Sequence, residues 1–332
     1  MQLPDDLRDA LAAEVGSGAS RHLAGAAQSL SRRYRAGHAR STSTPLESPL
    51  DARAYAAYRM PATYAALAAA FGETQDRLPR WTPHSMLDVG GGPGTAAWAA
   101  ATTWPELADI TILERDGGMA GIGTALATHA GSLAVQRARW RRVDITGEWG
   151  SEPAGLTAAG YVLGEPAPEA RAQIVERLWQ HTDSVCVIVE PGTPRGYEVI
   201  REATHGLIRA GASVIAPVPP TWPCLENETD WLHFSERVGR TRVQRVAKDA
   251  TLAYEDEKFC YLVASRWPGE PFAARVIRHP QIRSGHVRLT VCTPAGIRHL
   301  VIPRSRKETY RKARDLHWGS AIEPDEANVF GL

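Results

Sequence analysis

The sequence predicts an α/β fold built on a mainly parallel sheet, and three observations carry that expectation. Short apolar runs alternate with alanine-rich or amphipathic runs between about residues 81 and 266. One of those runs, Ser85 to Val89, leads directly into glycines and then into the helix-forming stretch TAAWAAATTW. The next apolar run, ADITILE, ends on an acid, Glu114, twenty-four residues beyond Gly90.

The elements follow in order. Residues 5 to 36 read as helical, with an Ala and Leu face broken by Gly16 and Gly18, and GHARSTSTPLESPL reads as a surface loop. A second helical region begins near Asp51 and is expected to stop or restart at Pro61, because a proline ring suits a first turn better than a helix interior. Ala62 to Phe71 continues as a helical face. Strands are then expected at Ser85 to Val89, ADITILE, Arg141 to Asp144, Gly155 to Leu163, Ser184 to Glu190, Ala212 to Pro217 and Lys258 to Ser265. Helices around Met119 to His129, Pro168 to His181 and Tyr197 to Ala210 separate them. Such a series implies right-handed βαβ crossovers and a mainly parallel sheet with antiparallel strands near its C-terminal edge. In the tail, HVRLTVCT and IRHLVIP flank Pro294 to Gly296 and read as a hairpin, followed by the basic helical run RKETYRKARDLHW. The expected organisation is an N-terminal helical region over 1–80, a core over 81–266 with an insertion near 217–257, and a basic C-terminal hairpin-helix extension over 267–332.

With 332 residues, 43% hydrophobic and 23% charged, the chain is expected to fold as a compact globular unit rather than a disordered or fibrous one. No run reaches the roughly 18 apolar residues of a membrane span. The start, MQLPDDLRDALAAEV, is acidic where a secretory leader is basic, so a cytoplasmic protein with no membrane role is expected. The formal net charge of +1 hides an asymmetry: Arg275 to Ser320 holds eleven Arg or Lys against Glu308 and Asp315. Such a segment suits a polyanion, and alternatively is a solvated basic face.

MLDVGGGPGTAAW, Met86 to Trp98, is the sharpest local signal. Glycines permit a tight turn and close backbone approach, and the following helix presents unsatisfied N–H groups. Glu114, at the end of the next strand, is placed to accept hydrogen bonds from two ribose hydroxyls, as in dinucleotide-binding folds; alternatively it is a surface acid or helix cap. Asp88 lies within LDVGGGPG, which resembles the first motif of S-adenosylmethionine enzymes more than the G-x-G-x-x-G of an NAD site. That resemblance implies a Rossmann-like class I SAM-dependent methyltransferase fold. It places Asp88, Gly90, Gly92, Gly94 and Glu114 at the cofactor, with Asp144 near the adenine amine, although Asp144 also suits a helix N-cap.

Methyl transfer needs an acceptor lone pair aligned with an electrophilic methyl group, so much of the rate comes from orientation and no nucleophilic side chain is required. Tyr161 and Glu165, in AAGYVLGEP at the end of the fourth candidate strand, are the candidate catalytic residues. Glu165 is placed to orient or deprotonate an acceptor and Tyr161 to pack against it; alternatively Glu165 caps the helix opening near Pro166 and Tyr161 fills the core. The [Asp or Asn]-Pro-Pro-aromatic motif of nucleic-acid amine methyltransferases is absent. Glu190 with its Pro-Gly-Thr-Pro turn follows the fifth strand, where an acidic loop can border the cofactor or substrate cleft; alternatively Pro and Gly simply set the turn. Cys186 and Cys260 sit in apolar strand patterns and read as buried thiols. The four cysteines, with no close pair, form neither a disulfide framework nor a compact zinc motif.

YRMPATYAA, MLDVGGGPGTAAWAA, YVLGE, VIVEPGTPRG, DWLHFSER, YEDEKFCYLV and SGHVRLTVCTPAG occur together over about residues 50 to 320. In this the chain resembles the bacterial and mitochondrial ribosomal small-subunit-associated methyltransferase-like family. The resemblance implies an S-adenosylmethionine-binding protein of small ribosomal subunit assembly or translation, contacting the subunit's RNA through the basic tail. A small-molecule or peptide methyltransferase and a noncatalytic assembly factor are the rival readings. In DWLHFSER, Trp231, His233 and Phe234 beside Arg237, Arg240 and Arg242 suggest a base-stacking surface, or else core-facing neighbours. The family commonly carries four cysteine ligands for an iron–sulfur cluster, and that pattern falls here on Val218, Cys224, Leu232 and Cys292. Two of the four are not thiols, so the standard cluster is expected to be absent.

Overall fold

The computed structural model describes residues 2–15, 25, 49–225, 227, 229–240, 244 and 253–332. The first helix is seen as Asp5–Val15; the rest of the helix expected to residue 36, most of the loop after it and Arg242 lie outside the described residues. Pro49–Arg77 forms one helix that runs through Pro61, so the expected interruption is not found. Pro61 removes one backbone donor, but Met60, Tyr64, Leu67 and Phe71 are all buried along this helix, and burying side chains of that size stabilises it by roughly 1.5–3 kcal/mol each.

The main sheet contains β1 (Ser85–Val89), β2 (Asp109–Leu113), β3 (Arg139–Arg141), β4 (Ala154–Gly160), β5 (Thr182–Pro191), β6 (Ser213–Ala216), β7 (Phe234–Gly239) and β8 (Tyr254–Ser265). Its order is β3-β2-β1-β4-β5-β8-β6, with β7 paired to β8. Strands β1 to β5 are mutually parallel, and β8 runs antiparallel to both β5 and β6. The order reverses between β1 and β4, which is the switch point where ligands of open α/β sheets bind. Val185 to Val189 of β5 are completely buried, as expected for a central strand covered on both faces.

Strand β8 is longer than the apolar run Lys258 to Ser265 suggested. Its second half pairs with β5 in the core. Its first half, Tyr254 to Lys258, runs past Pro191, the end of β5, and pairs only with β7 among the described residues. That half is charged and alternates between exposed and half-buried positions, so its strand character depends on β7 rather than on apolar patterning. DWLHFSER thus feeds a strand. Phe234 is buried, Trp231 donates its indole N–H to the Gly192 carbonyl at 3.1 Å, and His233 packs between Trp231 and Trp318. Arg237 pairs with Asp256 and Arg240 with Glu255, so this segment is no free stacking surface.

The expected tail hairpin is present: β11 (His286–Thr293) pairs with β12 (Gly296–Pro303) in a register ending at Thr293 opposite Gly296. With β9 (Ala274–Val276), β10 (Gln281–Ile282) and β13 (Ala321–Ile322) they form a second sheet. Val287, Leu289, Val291, Leu300 and Ile302 bury one face of it with Ala313 of the helix Lys307–Asp315 and with Phe330.

The second sheet is locked to the first by buried charge. Arg275, fully buried on β9, binds Glu73 of the long helix through two guanidinium nitrogens and donates to the carbonyls of Pro217 at 2.8 Å and Gly319 at 2.7 Å. One turn further along the helix, Arg77 reaches Glu323. Cys224 and Cys292 also meet across this seam as a disulfide, with a Cα–Cα distance of 5.3 Å. That corrects the expectation drawn from their spacing, because folding brings together residues 68 apart in sequence. Val218 and Leu232 pack in the same apolar cluster. A disulfide and two aliphatic side chains do not supply the thiolates of a four-thiolate cluster, and no group of three or more His, Cys, Asp or Glu is placed to share a metal among the described residues.

Removing one partner of a buried ion pair leaves the other charge stranded, so Glu73→Gln is expected to cost about 3–5 kcal/mol in urea unfolding. A loss below about 1 kcal/mol, typical of exposed pairs, would show that the second sheet does not depend on this lock.

Candidate functional site

The carboxyl edge of the main sheet is shaped by the glycine turn after β1. The Gly90 and Gly91 N–H groups both donate to the Leu113 carbonyl, at 2.8 and 3.2 Å, which ties the turn to the end of β2. Gly90 has φ +68°, and a side chain there would meet Val162 at 2.5 Å. Gly92 and Gly94 also have positive φ, with Gly94 directly preceding the helix Thr95–Thr103. Trp140 of β3 lies against Gly94 and Gly123 and donates its indole N–H to the Gly92 carbonyl at 3.1 Å.

Two carboxylates sit at this turn. Glu114 Oε2 accepts from the Gly92 N–H at 2.9 Å and Oε1 from the Asp116 N–H at 2.7 Å. Each oxygen keeps a further lone pair, so Glu114 is a backbone anchor that retains acceptor capacity. Asp88 is 1% exposed, and neither of its oxygens has a hydrogen-bond partner among the described residues. Burial, with Glu114 as the neighbouring charge, pushes its pKa up to about 8. A buried acid without partners is costly unless a ligand completes it.

Beyond β4 the chain turns through Tyr161, which has φ +60° and is the only non-glycine in that region of backbone space among the described residues. Its N–H bonds the Val189 carbonyl at 2.7 Å, and its hydroxyl donates to Glu257 Oε1 at 2.9 Å. Arg59 of the long helix donates to the same oxygen at 3.2 Å, with its guanidinium carbon 5.5 Å from the Tyr161 ring centroid. Burial and Glu257 raise the Tyr161 pKa well above its ordinary value, so the phenol is a donor here and not a base. Glu190 is buried and accepts from the Leu163 N–H at 2.8 Å, holding the segment between Tyr161 and Glu165 in place. Its burial pushes its pKa up to about 7. Glu165 keeps 40% of its side-chain surface exposed and faces Arg115 at 3.8 Å.

Tyr55, one turn before Arg59, has Arg59, Glu165, Glu114 and Glu257 as its electrostatic neighbours. The long helix, the glycine turn, the β4 exit and the overhanging half of β8 therefore converge on one edge. Asp144 is more peripheral: it is exposed, its Oδ1 accepts from Thr146 N–H and Oγ1, and these bonds lower its pKa. Tyr55, Arg59, Trp140 and Glu257 were missed as site residues. Arg59 and Glu257 do lie in YRMPATYAA and YEDEKFCYLV, but nothing in either run shows that both cross to Tyr161.

This strand order, with one antiparallel strand between β5 and β6 and a glycine turn after β1, defines a Rossmann-like class I methyltransferase-type protein. Among solved structures, magnesium protoporphyrin IX methyltransferase from Synechocystis is similar at 13% identity and TM-score 0.40, covering 80% of this chain and 98% of that one. Residues 49–323 match the family of mitochondrial small ribosomal subunit Rsm22, and the chain belongs to that family. Human mitochondrial ribosome assembly protein METTL17 is 25% identical over 81% of this chain and 61% of its own length. A mitochondrial Rsm22-cox11 tandem protein of Schizosaccharomyces pombe is 23% identical over 74% of this chain and 39% of its own length. This chain thus spans about three fifths or less of these relatives. Their mitochondrial descriptions overturn the cytoplasmic expectation, which rested on the acidic start and the lack of a long apolar run. No described helix is long and apolar enough to cross a membrane.

Folded Asp88 keeps its proton to about pH 8, whereas an unfolded aspartate releases it near 3.8. Between those values folding takes up a proton, so this group's contribution to stability falls as pH rises. Asp88→Asn is expected to flatten the dependence of unfolding free energy on pH between 5 and 8 and to be more stable than the unaltered protein at pH 8. Identical slopes for the two proteins would show that Asp88 has a partner in solution.

Proposed function

We propose that this chain binds S-adenosylmethionine at the carboxyl edge of its main sheet and acts in small ribosomal subunit assembly, contacting RNA through its C-terminal extension. The observation that carries the first half is the partnerless buried Asp88 beside Glu114 and the glycine turn. Gly90, Gly92 and Gly94 give a ligand backbone access, Glu114 receives ribose hydroxyls, and Asp88 receives the ligand's positive end. Asp144 borders the adenine side. S-adenosylmethionine supplies an electrophilic methyl group when bound.

What the chain adds is orientation and exclusion of water. Tyr161 is fixed by Val189 and Glu257 and holds no proton-accepting capacity at neutral pH, which makes it a positioning residue. Glu165 is the exposed carboxylate on the acceptor side, with Arg115 as its counterion. One observation favours a noncatalytic use of the same edge: Arg59, Tyr161 and Glu257 bridge from the long helix to β8 across the β4 exit, where an acceptor would enter. Methyl transfer to a small-molecule or peptide acceptor requires that bridge to open.

Family membership and charge support the second half. Of the eleven cations between Arg275 and Ser320, Arg275, Arg278 and Lys312 are matched to Glu73, Asp230 and Glu326. Arg304, Arg306, Lys307 and Arg311 are exposed at the start of the Lys307–Asp315 helix and before it. They suit phosphate contacts, which position a complex and carry little sequence information.

The test is binding of small-subunit RNA across a salt series, paired with a radiolabelled methyl-transfer assay on small subunits. Replacing Arg304, Arg306, Lys307 and Arg311 by Gln is expected to weaken RNA binding and to reduce the salt slope by up to about 0.9 for each phosphate that is no longer neutralised. Unchanged affinity and slope in a folded variant would remove this run from the RNA footprint. Label incorporated into RNA or protein selects the catalytic reading, and binding without label selects the assembly-factor reading.

A further inference from the structure

Charge is unevenly distributed around the carboxyl edge. Asp88, Glu114, Glu165, Glu190 and Glu257 all approach it from the main sheet or its loops. The nearby cations are differently committed. Arg171 is bound by Glu202 and donates to the carbonyls of Leu163 and Pro166, and Arg195 is held by the Gly164 carbonyl. Arg115 faces Glu165 from an exposed position.

Arg59 is different in kind. Among the described residues its hydrogen bonding is a single N–H at 3.2 Å to Glu257, whose oxygen is shared with the Tyr161 hydroxyl. A guanidinium carries five N–H donors in a planar fork suited to a bidentate carboxylate. Its side chain keeps 32% of its surface exposed. The Tyr161 ring beneath Arg59 precedes Val162, which lies against Gly90, so Arg59 stands beside the glycine turn.

From this juxtaposition we infer that Arg59 is the binding residue for an α-carboxylate: it holds the amino-acid end of the adenosyl ligand and so makes the edge selective for adenosyl amino acids over plain nucleosides. The assignment rests on the adenosyl-ligand reading above. The ligand has one anionic group, and of the two cations on this acidic edge Arg115 lies on the exposed side against Glu165, which leaves Arg59 to meet it. The same carboxylates suit the cationic ammonium, so both signs of the zwitterion are met. Glu257 then has a defined task, which is to aim the Arg59 fork through one weak bond while leaving its other donors available. The edge also disfavours a polyanion, which keeps RNA on the extension and away from the nucleoside site.

The experiment compares two ligands by equilibrium titration of the full chain: S-adenosylhomocysteine, and methylthioadenosine, which keeps the adenosine and sulfur but lacks the amino-acid end. In Arg59→Gln, affinity for S-adenosylhomocysteine is expected to fall roughly ten- to a hundredfold, as for the loss of hydrogen bonds to a charged group, with methylthioadenosine unchanged. Arg59→Lys restores part of the loss, because it returns the charge without the fork. Glu114→Ala is expected to weaken both ligands, since both carry the ribose. Equal losses for both ligands in Arg59→Gln, or no loss for either, overturn the assignment. If the unaltered protein binds the two ligands equally, Arg59 reads no carboxylate while the nucleoside site stands. If it binds neither, the adenosyl-ligand reading itself fails and takes this assignment with it.

Discussion

The arrangement of this protein turns on a buried carboxyl group that the chain does not complete. Asp88 sits at the end of β1 with almost no exposure and no hydrogen-bond partner among the described residues. Around it the glycine turn is held open by hydrogen bonds to Leu113 and Glu114 rather than filled by side chains. Gly91 leaves no room for any larger residue, because an added Cβ would stand 2.3 Å from Asp88 Oδ2. Isolated buried polar groups destabilise a fold, so the chain tolerates here a cost that the proposed ligand would offset.

The long helix connects that edge to the rest of the molecule. Arg59 stands over the β4 exit, while Glu73, fourteen residues on, anchors Arg275 of the second sheet. At 1.5 Å per residue those two points are about 21 Å apart on one rigid element. The ligand edge and the basic extension are thus fixed to the same rod, and its continuity through Pro61 is what makes them one unit. The seam between the sheets is further closed by the Cys224–Cys292 disulfide.

Much of this was legible in the sequence because it depends on local patterning. The strand-glycine-helix run at Ser85 to Thr103, the buried β5 and the β11–β12 hairpin all have short-range signatures, and the structure follows them. Asp88 and Glu114 stand out as candidates in the sequence because the glycine turn fixes where each strand ends. Other features depend on contacts distant in sequence. Tyr254 to Lys258 lacks an apolar pattern and becomes a strand only through β7. Glu257 and Arg59 meet 198 residues apart, and the cysteine pair is 68 apart. The eleven cations of the tail include Arg275, which the fold consumes as an internal lock. Tyr161 is a catalytic candidate by its position in the sequence, whereas its positive φ and its bond to Glu257 come from contacts that the sequence does not reveal.

The central claim is that Asp88 meets the cationic end of an adenosyl ligand. The direct measurement is the number of protons exchanged when S-adenosylhomocysteine binds, obtained by titration calorimetry at pH 7 in buffers of different ionisation enthalpy. Asp88 is protonated in the free protein at that pH, since burial holds its pKa at about 8, and an ammonium group brought against it favours the carboxylate. The account predicts release of about one proton per ligand bound by the unaltered protein and almost none by Asp88→Asn. Binding without proton release in the unaltered protein would contradict it.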